Sequence, residues 1–341
     1  MKIEENISLK DFTTFRTGGN ARYFVRVKNI DELKIAVRFT KEKNLPFFVL
    51  GRGANVLISD DGFCGVVIKM EMKGIKFEKL KNRMTRAISG AGEDWDNFVL
   101  QTVKKDLVGL ENLTLVPSTV GATPVQNVNC YGREVSDTIA WIETLNAETV
   151  EIKIFSPKEC EFSYRESFFK TPEGKKYIIT RVAFDLLKDG TLKTDYKDVK
   201  EYFFAHKIIN PTVRDVRNAL IEIRTKKLPD IRKDYTAGSF FKNIVLSDAL
   251  ADEIIKKYPD IAVYPATKGK KKLATAWVLD HICGLRGVQK GNVGTYKNQA
   301  LIIVNNSNAT TKEILDFAEF LRASVKEKIG IDLETEVQVI K

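Results

Sequence analysis

A chain of 341 residues can hold two or three domains, and 43% hydrophobic against 29% charged residues is the balance of a soluble globular protein. No apolar run approaches the roughly 18 to 20 residues that a membrane span needs, and the polar opening MKIEENISLKDF is not a signal peptide, so a cytoplasmic location without a membrane partner is expected. Two histidines, His206 and His281, and four scattered cysteines without a CxxC argue against a histidine-rich metal site, a Ser-His-Asp triad and a disulfide framework, while the net charge of +10 admits nucleic acid, an anionic surface or a small polyanion. The basic residues concentrate at 224–233 and 268–272. Two such clusters suit a phosphate-bearing small molecule better than a duplex track, and solvated faces are the alternative.

In chain order, ARYFVRV at 21–27 alternates as a strand. Residues 30–43 read as a helix capped by Asn29, with Asp31 and Glu32 in its first turn and Leu33, Ala36 and Val37 on one face. FFVL at 47–50 is a short buried strand that runs into Gly51-Arg52-Gly53-Ala54-Asn55, closing a βαβ unit. Glycines there can take positive φ and leave N–H groups bare for a diphosphate; a plain tight connection is the other reading. Strands are expected at 65–70 and 86–90. Gly90-Ala91-Gly92-Glu93 opens a helix to 105 with Trp95, Phe98, Val99 and Val103 inward. The stretch 109–134, GLENLTLVPSTVGATPVQNVNCYGRE, has no charge between Glu111 and Arg133. It fits a polar lining for a large planar ligand, or a buried loop. Residues 138–187 are strand-rich, and 212–224 form a helix in which Thr212 and Asp215 resemble a capping box. Lys227-Leu228-Pro229-Asp230 ends it, and a domain boundary is placed there. A helix at 247–257, a strand at 300–305, a helix at 311–328 capped by Thr310 with Glu313 and closed by Gly330, and a strand at 334–340 complete the reading.

Several motifs, taken in order, carry a family resemblance. VLGRGANVL, GLENL-x-LVP-x-x-VG with PVQN and YG, YRESFFK, TKKLPD, AGSFFKN and the terminal ETEV together resemble the UDP-N-acetylenolpyruvoylglucosamine reductases of bacterial cell-wall synthesis, from about Leu9 to the last residues. The segment around Thr194-Asp195-Tyr196 and the extra residues at 258–291 resemble the long form, type I. The resemblance implies an α+β fold of the vanillyl-alcohol-oxidase (PCMH-like) type. Residues 1–70 and 71–225 would form a two-part FAD-binding domain, and 226–341 a substrate domain whose last strand can return toward the flavin. It also implies a monomer, with non-covalent FAD and NADPH as co-substrate, that binds no nucleic acid.

By carry-over, Gly51, Gly53, Ala54 and Asn55 would embrace the FAD diphosphate. Pro117, Val120, Gly121, Thr123 and Tyr131 would line the flavin, and Arg224 would reach it. Hydride would pass from NADPH to FAD and then to the enolpyruvyl ether of UDP-N-acetylglucosamine enolpyruvate. That step leaves a carbanion beside the substrate carboxylate, which something must stabilise and something protonate. Arg165 matches the family's carboxylate-polarising arginine, Glu336 its catalytic glutamate and Ser239 its proton donor. Tyr196, Lys227, Asn243, Tyr264, Lys272 and Gln299 match substrate contacts, and Lys227 and Lys272 fall in the two basic clusters. The chain departs from the pattern at Ala54, Ser118, Asn129 and Tyr296, which bear on FAD affinity and loop conformation rather than on reaction type. A flavin oxidase of the same superfamily and a basic nucleic-acid or nucleotide-binding protein without catalysis are the competing readings. Yellow, FAD-containing protein would dispose of the second.

Overall fold

The protein, described here from a computed structural model covering residues 1–264 and 266–341, divides into two compact units. The first comprises Met1–Ile7, Arg22–Arg52 and Cys64–Lys226, and the second Ser8–Ala21, Gly53–Phe63 and Lys227–Lys341. Two short early segments thus cluster with the C-terminal third. Among the described residues no helix is long and apolar enough to cross a membrane.

The first unit holds two larger sheets and, among the described residues, a two-stranded ribbon of Asn129–Cys130 against Arg133–Glu134. Four strands are ordered Ile3–Ser8, Asn20–Val27, Phe63–Met70, Phe47–Leu50, and the last two run parallel with Phe47 opposite Val66. Helix Ile30–Glu42, which joins strand Asn20–Val27 to strand Phe47–Leu50, starts where the Asn29 side chain accepts from the Glu32 N–H at 2.9 Å, and it buries Leu33, Ala36 and Val37. The second sheet is antiparallel, ordered Ile152–Phe155, Ile139–Asn146, Tyr177–Lys188, Met84–Gly90, Ile75–Lys79, with Leu107–Val108 also pairing on the long central strand. Helix Trp95–Lys104 is capped by the Asp94 side chain, and its Trp95 and Phe98 rings pack on Phe184 with centroids 5.8 and 5.2 Å away. All three rings are fully buried, each worth roughly 2 to 3 kcal/mol of apolar transfer. The Trp95 indole N–H donates to the Leu113 carbonyl at 2.9 Å, which fixes the start of the uncharged 112–132 stretch against this helix.

Helix Lys197–Ala205 was not legible in advance. Only Val199 and Phe203 face inward, against Val216 and Leu220 of helix Val213–Lys227.

The second unit is built from segments remote in sequence. Phe15, Leu57, Phe240, Phe241, Phe317 and Leu321 share one core. Ile244–Ser247, Lys270–Leu273 and Val263–Tyr264 form one small sheet, and Gln289–Lys290, Val293–Tyr296 and Gln299–Asn305 another. Helix Thr311–Ile329 has a reciprocal capping box between Thr310 and Glu313, and Gly330 closes it at φ 71°. The terminal strand is shorter than the expected 334–340. Only Gln338–Ile340 is regular, paired in parallel with Val56–Ile58. The preceding residues instead run beside 240–242, with Lys242 N–H donating to the Glu334 carbonyl at 2.8 Å.

Candidate functional site

In the first unit the uncharged stretch forms a folded loop whose polar groups mostly serve one another. Val120 and Thr123 have no exposed surface, and the Thr123 hydroxyl donates to the Val120 carbonyl at 2.8 Å, so these two shape the loop from beneath. Gly121 sits where a β-carbon would meet the Ala91 methyl at 2.5 Å. Pro117 remains half-buried.

Asn127, fully buried and at φ 42°, is the hub. Its amide donates to the Glu134 carboxylate at 2.8 Å and the Ser163 carbonyl at 3.2 Å, and its oxygen accepts from the Ser136 N–H at 3.2 Å. Ser163 and Glu166 exchange backbone hydrogen bonds, which places Tyr164 and Arg165 at the tip of a tight turn. Arg165 lies at φ 59°. A non-glycine residue in the left-handed region costs about 1 kcal/mol or more, and such strain clusters where a side chain must be aimed.

The Arg165 guanidinium donates to the Asn129 carbonyl at 3.3 Å. On the same segment, Arg224 lies 6.0 Å over the Tyr131 ring and donates to the Leu115 carbonyl at 3.3 Å. Two of the predicted arginines therefore converge on 129–131. Burial pushes the Tyr131 phenol up to about 12 in spite of Arg224, so it is neutral at every working pH. Tyr196 packs edge-on to Tyr131 at 5.0 Å.

The loop is anchored from below by an ion pair that the sequence did not announce. Arg217, 6% exposed, makes a two-pronged contact with Asp96 at 2.9 and 2.8 Å, while Asp96 also accepts from the Leu115 N–H at 2.7 Å. Burial alone would raise the Asp96 carboxyl, but the guanidinium and the Leu115 N–H outweigh it and hold it below the usual aspartate range.

The glycine turn divides between the units. In the first, a β-carbon on Gly51 would come 2.6 Å from the Thr119 hydroxyl. In the second, Gly53 adopts φ 73° with the Phe12 carbonyl only 2.1 Å from where a β-carbon would stand. The close approach that makes these positions glycine is thus to the protein's own backbone and side chains. Ala54 and Asn55 stay half-buried, and the Asn55 amide donates to the Glu336 carbonyl at 3.3 Å while its own carbonyl accepts from the Gln338 N–H at 3.0 Å.

The same segment meets a further predicted residue of this unit. The Glu336 N–H donates to the Phe240 carbonyl at 2.8 Å, so Glu336 lies on the segment alongside Ser239-Phe240-Phe241. Ser239 follows Gly238, at φ 78°, and bridges to Ile302 of strand Gln299–Asn305, the strand that begins with Gln299. Asn243 leads into strand Ile244–Ser247 and accepts from the Thr275 N–H at 3.2 Å, and Tyr264 and Lys272 stand opposite one another in the same small sheet. Lys227 is exposed at the end of its helix.

The buried Nε of Arg224 has no hydrogen-bond partner among the described residues, an uncommon and costly arrangement unless a ligand acceptor completes it.

Residues 21–153 match the FAD binding domain family, and residues 230–340 the C-terminal domain of UDP-N-acetylenolpyruvoylglucosamine reductase. The UDP-N-acetylenolpyruvoylglucosamine reductase of Flavobacterium johnsoniae is 39% identical over the whole of both chains. That of Photobacterium profundum is 37% identical over 99% of this chain and 96% of its own. The crystal structure of the Thermus caldophilus enzyme superposes over all of both chains with a TM-score of 0.70 at 25% identity.

Proposed function

Because the chain belongs to the UDP-N-acetylenolpyruvoylglucosamine reductase family, as an FAD oxidoreductase with an α+β fold of the vanillyl-alcohol-oxidase type, we propose that it reduces UDP-N-acetylglucosamine enolpyruvate to UDP-N-acetylmuramate at the expense of NADPH, in peptidoglycan precursor synthesis. We further propose that residues 1–70, 71–225 and 226–341 serve as the two FAD-binding subdomains and the substrate domain. FAD would be held by Gly51, Gly53, Ala54 and Asn55 at its diphosphate and by the 117–131 loop with Arg224 at its ring, and when bound it supplies the hydride.

The chain's own residues then govern charge and proton. Arg165 offers a planar fork to the substrate carboxylate and spreads the negative charge of the developing enolate. Glu336 works with it on the enolic carboxylate. The Ser239 hydroxyl delivers a proton to the adjacent carbon, the one that does not receive hydride. Lys227 and Lys272 bind the diphosphate of the sugar nucleotide, with Tyr196, Asn243, Tyr264 and Gln299 around it.

The observation that carries this reading is the backbone pairing of Glu336 with Phe240, which sets a carboxylate and a hydroxyl on neighbouring segments of one unit. The strained turn at Arg165 supports the third role. Ser239→Ala tests the assignment in a stopped-flow instrument. Flavin bleaching by NADPH should be unchanged, while reoxidation by the enolpyruvyl substrate slows by about 10²- to 10⁴-fold. An unaffected second half-reaction removes Ser239 from the role.

A further inference from the structure

Beside Gly51 the first unit contains a cavity of ≈ 550 Å³ lined by Lys28, Arg52, Lys69, Met70, Glu71, Lys73, Gly92, Asp94 and Thr119. Four cations and two carboxylates face it, and both carboxylates already have arginine partners. Glu71 pairs with Arg26 at 2.6 Å, and Asp94 pairs with Arg52 while also capping the helix at Asn97. Lys73 stands 3.8 Å from Glu93. The ammonium of Lys69 donates to the Gly51 carbonyl, a neutral acceptor on the turn itself.

The cavity therefore keeps positive charge that its own walls do not neutralise. Burial is the main reason the Lys69 ammonium is pushed down to about 8. Glu71 opposes that shift, and Arg26, Lys73 and Arg52 add to it. Positive charge on a half-buried ammonium of this kind is what an incoming phosphate relieves.

We propose that this cavity is an anion subsite in which Lys69, with Lys28 and Lys73 at its rim, receives a phosphate group of the dinucleotide. The proposal rests on the FAD reading above. None of the motifs that carry the family resemblance includes Lys28, Lys69 or Lys73.

The linkage has a definite sign. An anion stabilises the charged ammonium and raises its titration point, so the complex holds more protons than the empty protein. Affinity is then greatest below pH 8 and is lost as pH rises through 8.

Flavin-free full-length protein is titrated calorimetrically with FAD between pH 7 and 9, in two buffers of different ionisation enthalpy. Wild type should bind about tenfold more weakly at pH 9 than at pH 7, and take up most of one proton at pH 9. Lys69→Met should bind weakly at both values without uptake. Lys69→Arg, charged throughout, should bind with wild-type strength at pH 7 and lose the pH dependence. A residue acting only as a strut for Gly51 would leave the proton count unmoved. The exposed Lys28→Gln variant should weaken FAD binding several-fold at low salt and flatten its salt dependence. FAD binding with no proton uptake, or with uptake that persists in Lys69→Met, overturns the subsite and leaves the FAD reading standing. Failure of wild type to bind FAD overturns both.

Discussion

Gly53→Ala isolates the demand that the glycine turn makes on the chain. The residue sits at φ 73°, and an added β-carbon would lie 2.1 Å from the Phe12 carbonyl oxygen and 2.9 Å from the Thr13 α-carbon, both of them backbone. Left-handed backbone costs alanine about 1 to 2 kcal/mol, and displacing a packed backbone segment adds about 1 to 3 more. The expected loss is about 2 to 5 kcal/mol, or a fall of about 5 to 15 °C in melting temperature for a unit of this size. Gly269→Ala is the control within the same unit: its φ is 79°, but nothing lies within 4 Å of the added carbon. It should lose only the conformational part, about 2 to 6 °C. Differential scanning calorimetry of both variants reads the difference. If Gly53→Ala melts no lower than Gly269→Ala, the close packing of Phe12 on the turn is not what requires glycine there.

Lys227→Ala should raise KM for the sugar nucleotide with little change in kcat, and an unchanged KM would count against the phosphate role. Arg217→Leu should destabilise the first unit by about 3 to 5 kcal/mol, because it strands a partly buried Asp96 carboxylate, and urea unfolding measures this. The same pair contributes fully above the ordinary aspartate value of about 3.9, and the contribution is lost as pH falls through the lower folded-state value. Wild type should therefore lose stability more steeply than Arg217→Leu on acidification.

Local signals were legible wherever side-chain pattern and backbone agreed. Asn29 with its acidic first turn, the Thr310 and Glu313 box, and the inward set Trp95, Phe98, Val99 and Val103 all stand as read. Helix Lys197–Ala205 escaped because two buried residues make too narrow a stripe. The grouping of residues 8–21 and 53–63 with the C-terminal third could not be read, since it rests on packing between Phe15, Leu57 and Phe240 that leaves no periodic trace.

The site shows the same division. The roles proposed for Arg165, Ser239 and Glu336 rest on motif residues. The supports, namely Asn127 at the hub, Arg217 beneath Leu115 and Lys69 behind Gly51, are single polar residues whose meaning lies in what folds against them. Asn127 could have been found, because it ends the PVQN motif and asparagine tolerates the left-handed backbone that this loop needs. Lys69 carried no signal inside an apolar strand beyond being charged where its neighbours are not.

The reductase assignment is tested most directly by following the flavin absorbance of the purified protein without oxygen. NADPH should bleach it, and stoichiometric UDP-N-acetylglucosamine enolpyruvate should then restore it. Bleaching without recovery on adding that substrate would contradict the account.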